Sequence, residues 1–238
     1  MTAPEANRYA RLAGLLLLLS LLAGGFGESY IPSKLLAPAS LAETAHRVAT
    51  SLPLLRASFA AYLLEAACDL TLTAVFYLLL RPVSRPLSLI VAFFGLFSTA
   101  TYAVGEIVYF TASLPWSDPD LIKLLSPNLR QTITYLCLTA FGYIFVLFTG
   151  FYGLAEILRG YLILRSSYLP SWLGILIALG GAGFLAKNIV FLSAPQHDSM
   201  LFVLPTLIAM LTTAAWLLIK GINQSAWPQL NTHPPTIK

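Results

Sequence analysis

Six times between residues 12 and 219 the chain turns apolar for a long stretch before a short polar break, and roughly 20 apolar residues of helix cross a hydrocarbon core. The stretches lie near 12–31, 57–80, 87–112, 131–158, 171–193 and 199–219. None alternates strictly in the manner of a barrel strand, and lipid offers no partner to a backbone N–H or C=O. Each run must therefore satisfy its own hydrogen bonds as a helix. The fold class that follows is all-α: an integral membrane six-helix bundle spanning residues 1–221, with 222–238 expected to be a disordered cytoplasmic tail because it is Pro-rich and polar.

Composition supports the lipid bilayer as the principal partner. Hydrophobic residues make up 58% of the chain and charged residues 10%, against roughly 25% charged in soluble domains. The 14 Lys and Arg, for a net charge of +4, are scattered singly between apolar runs rather than gathered on one face, which argues against nucleic acid. Cys68 and Cys137 fall inside spans and read as small apolar residues, not as a disulfide or metal pair.

The first run, "RLAGLLLLLSLLAGGFGES", with Arg8 and Arg11 ahead of it, also fits a secretory signal. It continues apolar to Tyr30 and Ile31, longer than a signal core, so a membrane span is expected. Basic residues then orient the bundle. With the N-terminus inside, Arg8, Arg11, Arg81, Arg85, Arg159, Arg165, Lys220 and Lys238 fall on the cytoplasmic side, against Lys34, Arg47, Arg56, Lys123 and Arg130 outside. Both termini are expected in the cytoplasm.

The outer loops carry short amphipathic helices. Ser40 and Glu43 make a capping-box pattern ahead of Leu41, Ala45 and Val48, a face that suits the membrane surface. Asp118 opens a second short helix beside Trp116, an interfacial anchor, and Asp198 lies in the third outer loop. At the inner turn "RSSYLP", Arg165 meets headgroups, Tyr168 and Trp172 sit at interfacial depth, and Pro170 opens the next helix.

The residues "GYLILRSSYLPSWLGILIALGGAGFL", with "FYLLLRPVSRPLSLIVAFF" before and "WLLIKG" after, resemble the bacterial membrane family catalogued as domain of unknown function 4386. The likeness runs from "RLAGLLLLLS" through Arg56 to Gly221. It implies a six-helix protein of the bacterial plasma (inner) membrane and assigns no activity. Members often place a basic residue in the third span and an acid before "WLLIKG". Here those regions read "FFGLFSTAT" and "LTTAAWLL", so no role of such charges carries over.

Ionisable residues inside the spans are the candidates for function, since each costs about 2.5 to 3.5 kcal/mol at a helix centre. Glu65 and Asp69 are four apart in the second span, on one face with Ala61 and Thr73 and beside Tyr62. The third span has a stripe of Ser98, Tyr102, Glu106 and Tyr109. At 1.5 Å per residue, Glu28, Glu106 and Lys187 fall in the outer third, with Glu65 and Asp69 between them and the midplane. Gathered round one outward-facing polar pocket, these groups share water, tyrosine hydroxyls and the Lys187 ammonium. The competing readings are interfacial positions for Glu28 and Glu106, snorkelling for Lys187, and a plain interfacial ion pair for Glu156 with Arg159.

Gly174, Ala178, Ala182 and Ala186, at intervals of four, form a small-residue face for a helix partner. Pro205 is expected to kink the sixth span. His46, His197 and His233 lie outside the spans, and no P-loop or nucleophile elbow appears, so no catalytic residue, cofactor or metal is assigned. The leading function is binding, sensing or conducting a small cationic or amphiphilic ligand. The alternatives are an intramembrane enzyme using Glu65 and Asp69 as acid and base on a lipid-like substrate, and a structural partner of another membrane protein.

Overall fold

The computed structural model describes residues 1–35, 40–197 and 199–228, and among these the regular structure is helical throughout. Asp198, His233, Lys238, the side chain of Leu41 and the tail from residue 229 lie outside what is described. The helices are α1 (Ala3–Leu35), α2 (Leu41–Thr50), α3 (Leu52–Leu80), α4 (Arg85–Ser117), α5 (Pro119–Leu124), α6 (Pro127–Arg165), α7 (Ser171–Ser193) and α8 (Leu201–Ile219). All but α2 and α5 are long and apolar enough to cross a membrane.

Local chemistry sets the starts. Thr2 and Glu5 form a reciprocal capping box on α1, and Ser84, Asp118 and Ser126 cap α4, α5 and α6, each ahead of a proline in the first turn. Pro205 likewise stands at the start of an α-helical stretch, Leu204–Ile219, preceded by a 3₁₀ turn. It opens the last helix rather than kinking it, because there its missing N–H removes no bond. The α6 helix reaches seven residues beyond the expected end at 158.

The six long helices close into a ring in chain order: α1 packs on α3, α3 on α4, α4 on α6, α6 on α7, α7 on α8, and α8 returns to α1. Small residues bring α6 and α7 close. A Cβ on Gly160 would stand 2.8 Å from that of Ala178, and one on Gly153 would stand 2.8 Å from the Gly181 carbonyl oxygen. Gly174 is buried against Gly160 in the same seam. The face expected to serve an outside partner is thus spent within the chain at Gly174 and Ala178, while Ala182 is exposed and Ala186 half-buried. Across the seam, Thr149 Oγ1 donates to Asn188 Oδ1 at 2.9 Å and Asn188 Nδ2 donates to the Val146 carbonyl at 2.8 Å.

The two ends of the ring differ. At the end carrying the termini, Leu79, Leu80, Leu162, Ile163, Leu173 and Leu217 fill the interior and are at most 1% exposed. Tyr168 belongs to this plug instead of the interface: it is buried, and its hydroxyl donates to the Leu79 carbonyl at 2.6 Å. The disorder expected from residue 222 does not hold for Ile222 to Trp227. Ile222 N–H donates to Asn7 Oδ1 at 3.1 Å, and buried Trp227 donates from Nε1 to the Met1 carbonyl at 3.2 Å. The turn into this segment uses Gly221 at φ 66°, a conformation that costs little only without a Cβ.

At the other end, α2 leans on the bundle, touching α1, α3 and α6. Ala45 and Val48 are buried, so their face meets protein where a membrane surface was expected. Trp116 donates from Nε1 to Thr134 Oγ1 at 2.9 Å, with the Arg130 guanidinium 5.1 Å over its ring.

Candidate functional site

Away from the termini the ring is hollow. A cavity of about 290 Å³ is lined by residues of all six long helices, so it is the lumen of the ring rather than a cleft between two neighbours. Its position follows from side-chain sequence. Leucine and isoleucine close the other half, whereas here the inward positions carry acids, tyrosines, phenylalanines and glycines.

Glu28, Glu65, Asp69, Tyr102, Glu106, Tyr109 and Lys187 all line this cavity. Tyr62 does not: it stands behind Tyr102, edge to face at 4.8 Å, with its hydroxyl toward the Thr99 carbonyl at 3.5 Å. It shares a helix face with the acids but is one layer too far out. Lys187 is buried on the cavity wall, which rules out the snorkelling geometry.

Glu28 owes its place to an irregularity in α1. Residues Gly25 to Tyr30 form a π-helical turn, a wide turn of the kind often found at functional sites. Ser58 Oγ donates to the Gly27 carbonyl at 3.0 Å inside this turn. One turn earlier Gly24 leaves room for Glu65: a Cβ there would stand 2.6 Å from Glu65 Oε1. Asp69, a turn further along α3, accepts from Ser20 Oγ at 2.7 Å. The glycines of "AGGFG" therefore admit a carboxylate and a widened turn to the same spot.

The acids differ in how well they are satisfied. Glu28 lies close enough to Tyr102 and Glu65 to interact, and Glu106 to Tyr102. Nevertheless Glu28 Oε1, Glu65 Oε2, Glu106 Oε2 and Tyr109 Oη are all shielded from solvent without a hydrogen-bond partner. Buried oxygens of this kind are rare, because each forfeits its hydration without return. Four of them lie on residues around one cavity.

The same cavity has an aromatic wall. Phe141, Phe145, Phe148 and Tyr152 project from α6, and Phe184 joins them from α7. Tyr102 stacks on Phe148 at 4.4 Å, and Tyr109 packs against Phe141 at 5.1 Å. These aromatics, together with Ser20, go beyond the residues singled out in the sequence. Their signal was legible as a stripe of spacing four, three and four along α6, yet identical in form to an ordinary packing stripe. Among the described residues no group of three or more His, Cys, Asp or Glu is placed to hold a metal ion.

Glu156 and Arg159 form the expected ion pair on α6, but at another depth. Both are 7% exposed, and the Arg159 guanidinium lies 4.6 Å over the Phe76 ring. The pair sits inside the ring and not at its rim, which removes Arg159 from the basic residues facing headgroups.

A family model described as Domain of unknown function (DUF4386) matches residues 12–221. The chain belongs to the DUF4386 family. An uncharacterised protein of Archaeoglobus fulgidus is 28% identical to this DUF4386 chain over 158 residues, 64% of this chain and 76% of its own length. No solved structure matches. The archaeal relative takes the likeness beyond the bacterial setting expected above.

Proposed function

We propose that this protein binds a small amphiphilic cation in the lumen of its helix ring. The observation carrying this reading is the set of four buried, unpartnered oxygens of Glu28, Glu65, Glu106 and Tyr109 around one cavity. Carboxylates attract a positive centre and accept from its N–H or polarised C–H groups. The rings of Phe141, Phe145 and Phe148 on the same cavity suit an apolar body and contribute cation–π attraction. Four acids against one lysine on the same wall favour a cation over an anion or a neutral lipid.

Binding or sensing is favoured over conduction, because the leucine plug closes the ring toward the termini and leaves no polar path through it. With both termini in the cytoplasm of a bacterium, as the distribution of Arg and Lys favours, the lumen faces outward. An enzymatic role for Glu65 with Asp69 has less support, since Asp69 is already engaged by Ser20.

The test is calorimetric titration of the purified protein in detergent with benzyltrimethylammonium, beside its neutral carbon isostere neopentylbenzene. The cation is expected to bind, and the isostere at least about tenfold more weakly, the discrimination a single nearby charge supplies in a partly polar site. Glu65→Gln, which keeps the shape, is expected to erase most of that preference. Equal binding of the two probes, or binding of neither, removes the proposal.

A further inference from the structure

Toward the termini from the main cavity lies a second hollow, of about 20 Å³, between α1, α3, α6, α7 and α8. Tyr152, Thr206 and Met210 line both spaces, so the two adjoin. Glu156 and Arg159 stand on the wall of the smaller one, as do Phe76 and Thr213.

Two atoms there have no hydrogen-bond partner: Nε of Arg159 and Oγ1 of Thr213. Their residues are 7% and 3% exposed and come from different helices. An arginine Nε–H only donates, while a threonine hydroxyl both donates and accepts. A ligand that serves both must offer lone pairs, which a water presents to the Nε–H while it accepts from, or donates to, the hydroxyl. A hollow of this volume passes the 10 to 15 Å³ or so that one water needs, and holds nothing much larger.

We propose that this chamber is an internal water site, its water accepting from Arg159 Nε and bonded to Thr213 Oγ1, and filled from the carboxylate cavity past Tyr152. The route is set by the plug: Leu79, Leu162, Leu173 and Leu217 close the ring on the side of the termini. The chamber also gives the buried ion pair a role. Arg159 pairs with Glu156 and lies within electrostatic reach of Asp69. Solvated at Nε, it is a fixed positive charge beneath the floor of the main cavity. Its single charge is shared between Glu156 and Asp69, so Asp69 contributes least of the four cavity acids to meeting an incoming cation.

Hydroxyl-radical labelling by X-ray pulses, after rapid mixing of the full chain in nanodiscs with heavy-oxygen water, tests this directly. Phe76 lines the small chamber and not the large cavity, so it is the reporter, and Tyr102 reports on the cavity above. Phe76 is expected to be oxidised although buried, and to carry light oxygen at mixing times when exposed Tyr161 already carries heavy oxygen. Thr213→Val, the same shape without the hydroxyl, is expected to lose the Phe76 label and keep that of Tyr102. Absence of label at Phe76, immediate heavy-oxygen label there, or full labelling in Thr213→Val each overturns the proposal. Should Thr213→Val not fold, the time course of the wild-type protein decides alone. The deduction about charge balance rests on the cation-binding reading, but this labelling uses no cation, so either can fail while the other stands.

Discussion

Gly160→Ala puts the ring architecture to a quantitative test. A Cβ at residue 160 would lie 2.8 Å from Ala178 Cβ and 2.9 Å from Ala178 N, and would meet the Gly174 carbonyl oxygen as well. Ordinary contact begins at 3.4 Å, so α6 and α7 must part locally by at least 3.4 − 2.8 = 0.6 Å. The two helices cannot slide freely, because the turn through Ser166 and Pro170 tethers them and the Thr149–Asn188 bond spans the seam. Overpacking of this sort costs about 1 to 3 kcal/mol, and the better helix propensity of alanine returns about 1 kcal/mol. The net loss expected is therefore up to about 2 kcal/mol, and Gly160→Leu, with three more carbons to place, should exceed it. Reversible unfolding in mixed micelles, titrating sodium dodecyl sulfate and following tryptophan fluorescence, gives the free energies. Ala182→Leu is the control, since Ala182 is exposed on the same helix and should change stability little. If Gly160→Leu is neutral while Ala182→Leu destabilises, the small-residue face points away from α6 and the reasoning fails.

The same titration reads two further expectations, and an NMR titration reads a third. Asn188→Leu removes the bonds to Thr149 and Val146 and should cost about 1 to 2 kcal/mol, two interhelical bonds at their usual strength in membranes; a neutral result means that they do not form. Gly221→Ala forces a Cβ onto a residue at φ 66° and into the Asn7 side chain, with an expected loss of about 1 to 2 kcal/mol; unchanged stability would show that the tail does not dock on α1. In α2, the hydrogen bond from Arg47 Nε at 2.8 Å holds the Glu43 carboxyl below its ordinary value of 4.5. A folded-state value lowered in this way adds stability above the ordinary value and loses it as pH falls through the lowered one. An NMR titration of labelled Glu43 should find its midpoint below 4.5, moving upward in Arg47→Gln, and identical midpoints in the two proteins would refute the pairing.

Much of this protein was legible one residue at a time. The number of spans follows from hydrophobic length, since lipid leaves the backbone no partner but itself. The helix start at Asp118 follows from a cap and a proline read within four residues, and Ser84 and Ser126 carry the same signal ahead of spans expected only from 87 and 131. Even the helix face shared by Glu65 and Asp69 is a matter of spacing. What spacing cannot give is which faces turn toward one another. Only the packed ring put Glu28 and Lys187, 159 residues apart in the chain, on the wall of one cavity. It also placed Tyr62 a layer outside it and drew Glu156 and Arg159 into the interior. The same packing consumed Gly174 and Ala178 inside the chain and turned Phe141, Phe145 and Phe148 into a cavity wall. A one-dimensional pattern specifies a helix and its oily side. Around a lipid-exposed ring nearly every side is oily, so depth, rotation and the choice of neighbour come from close packing between helices, which exists only once all six are assembled.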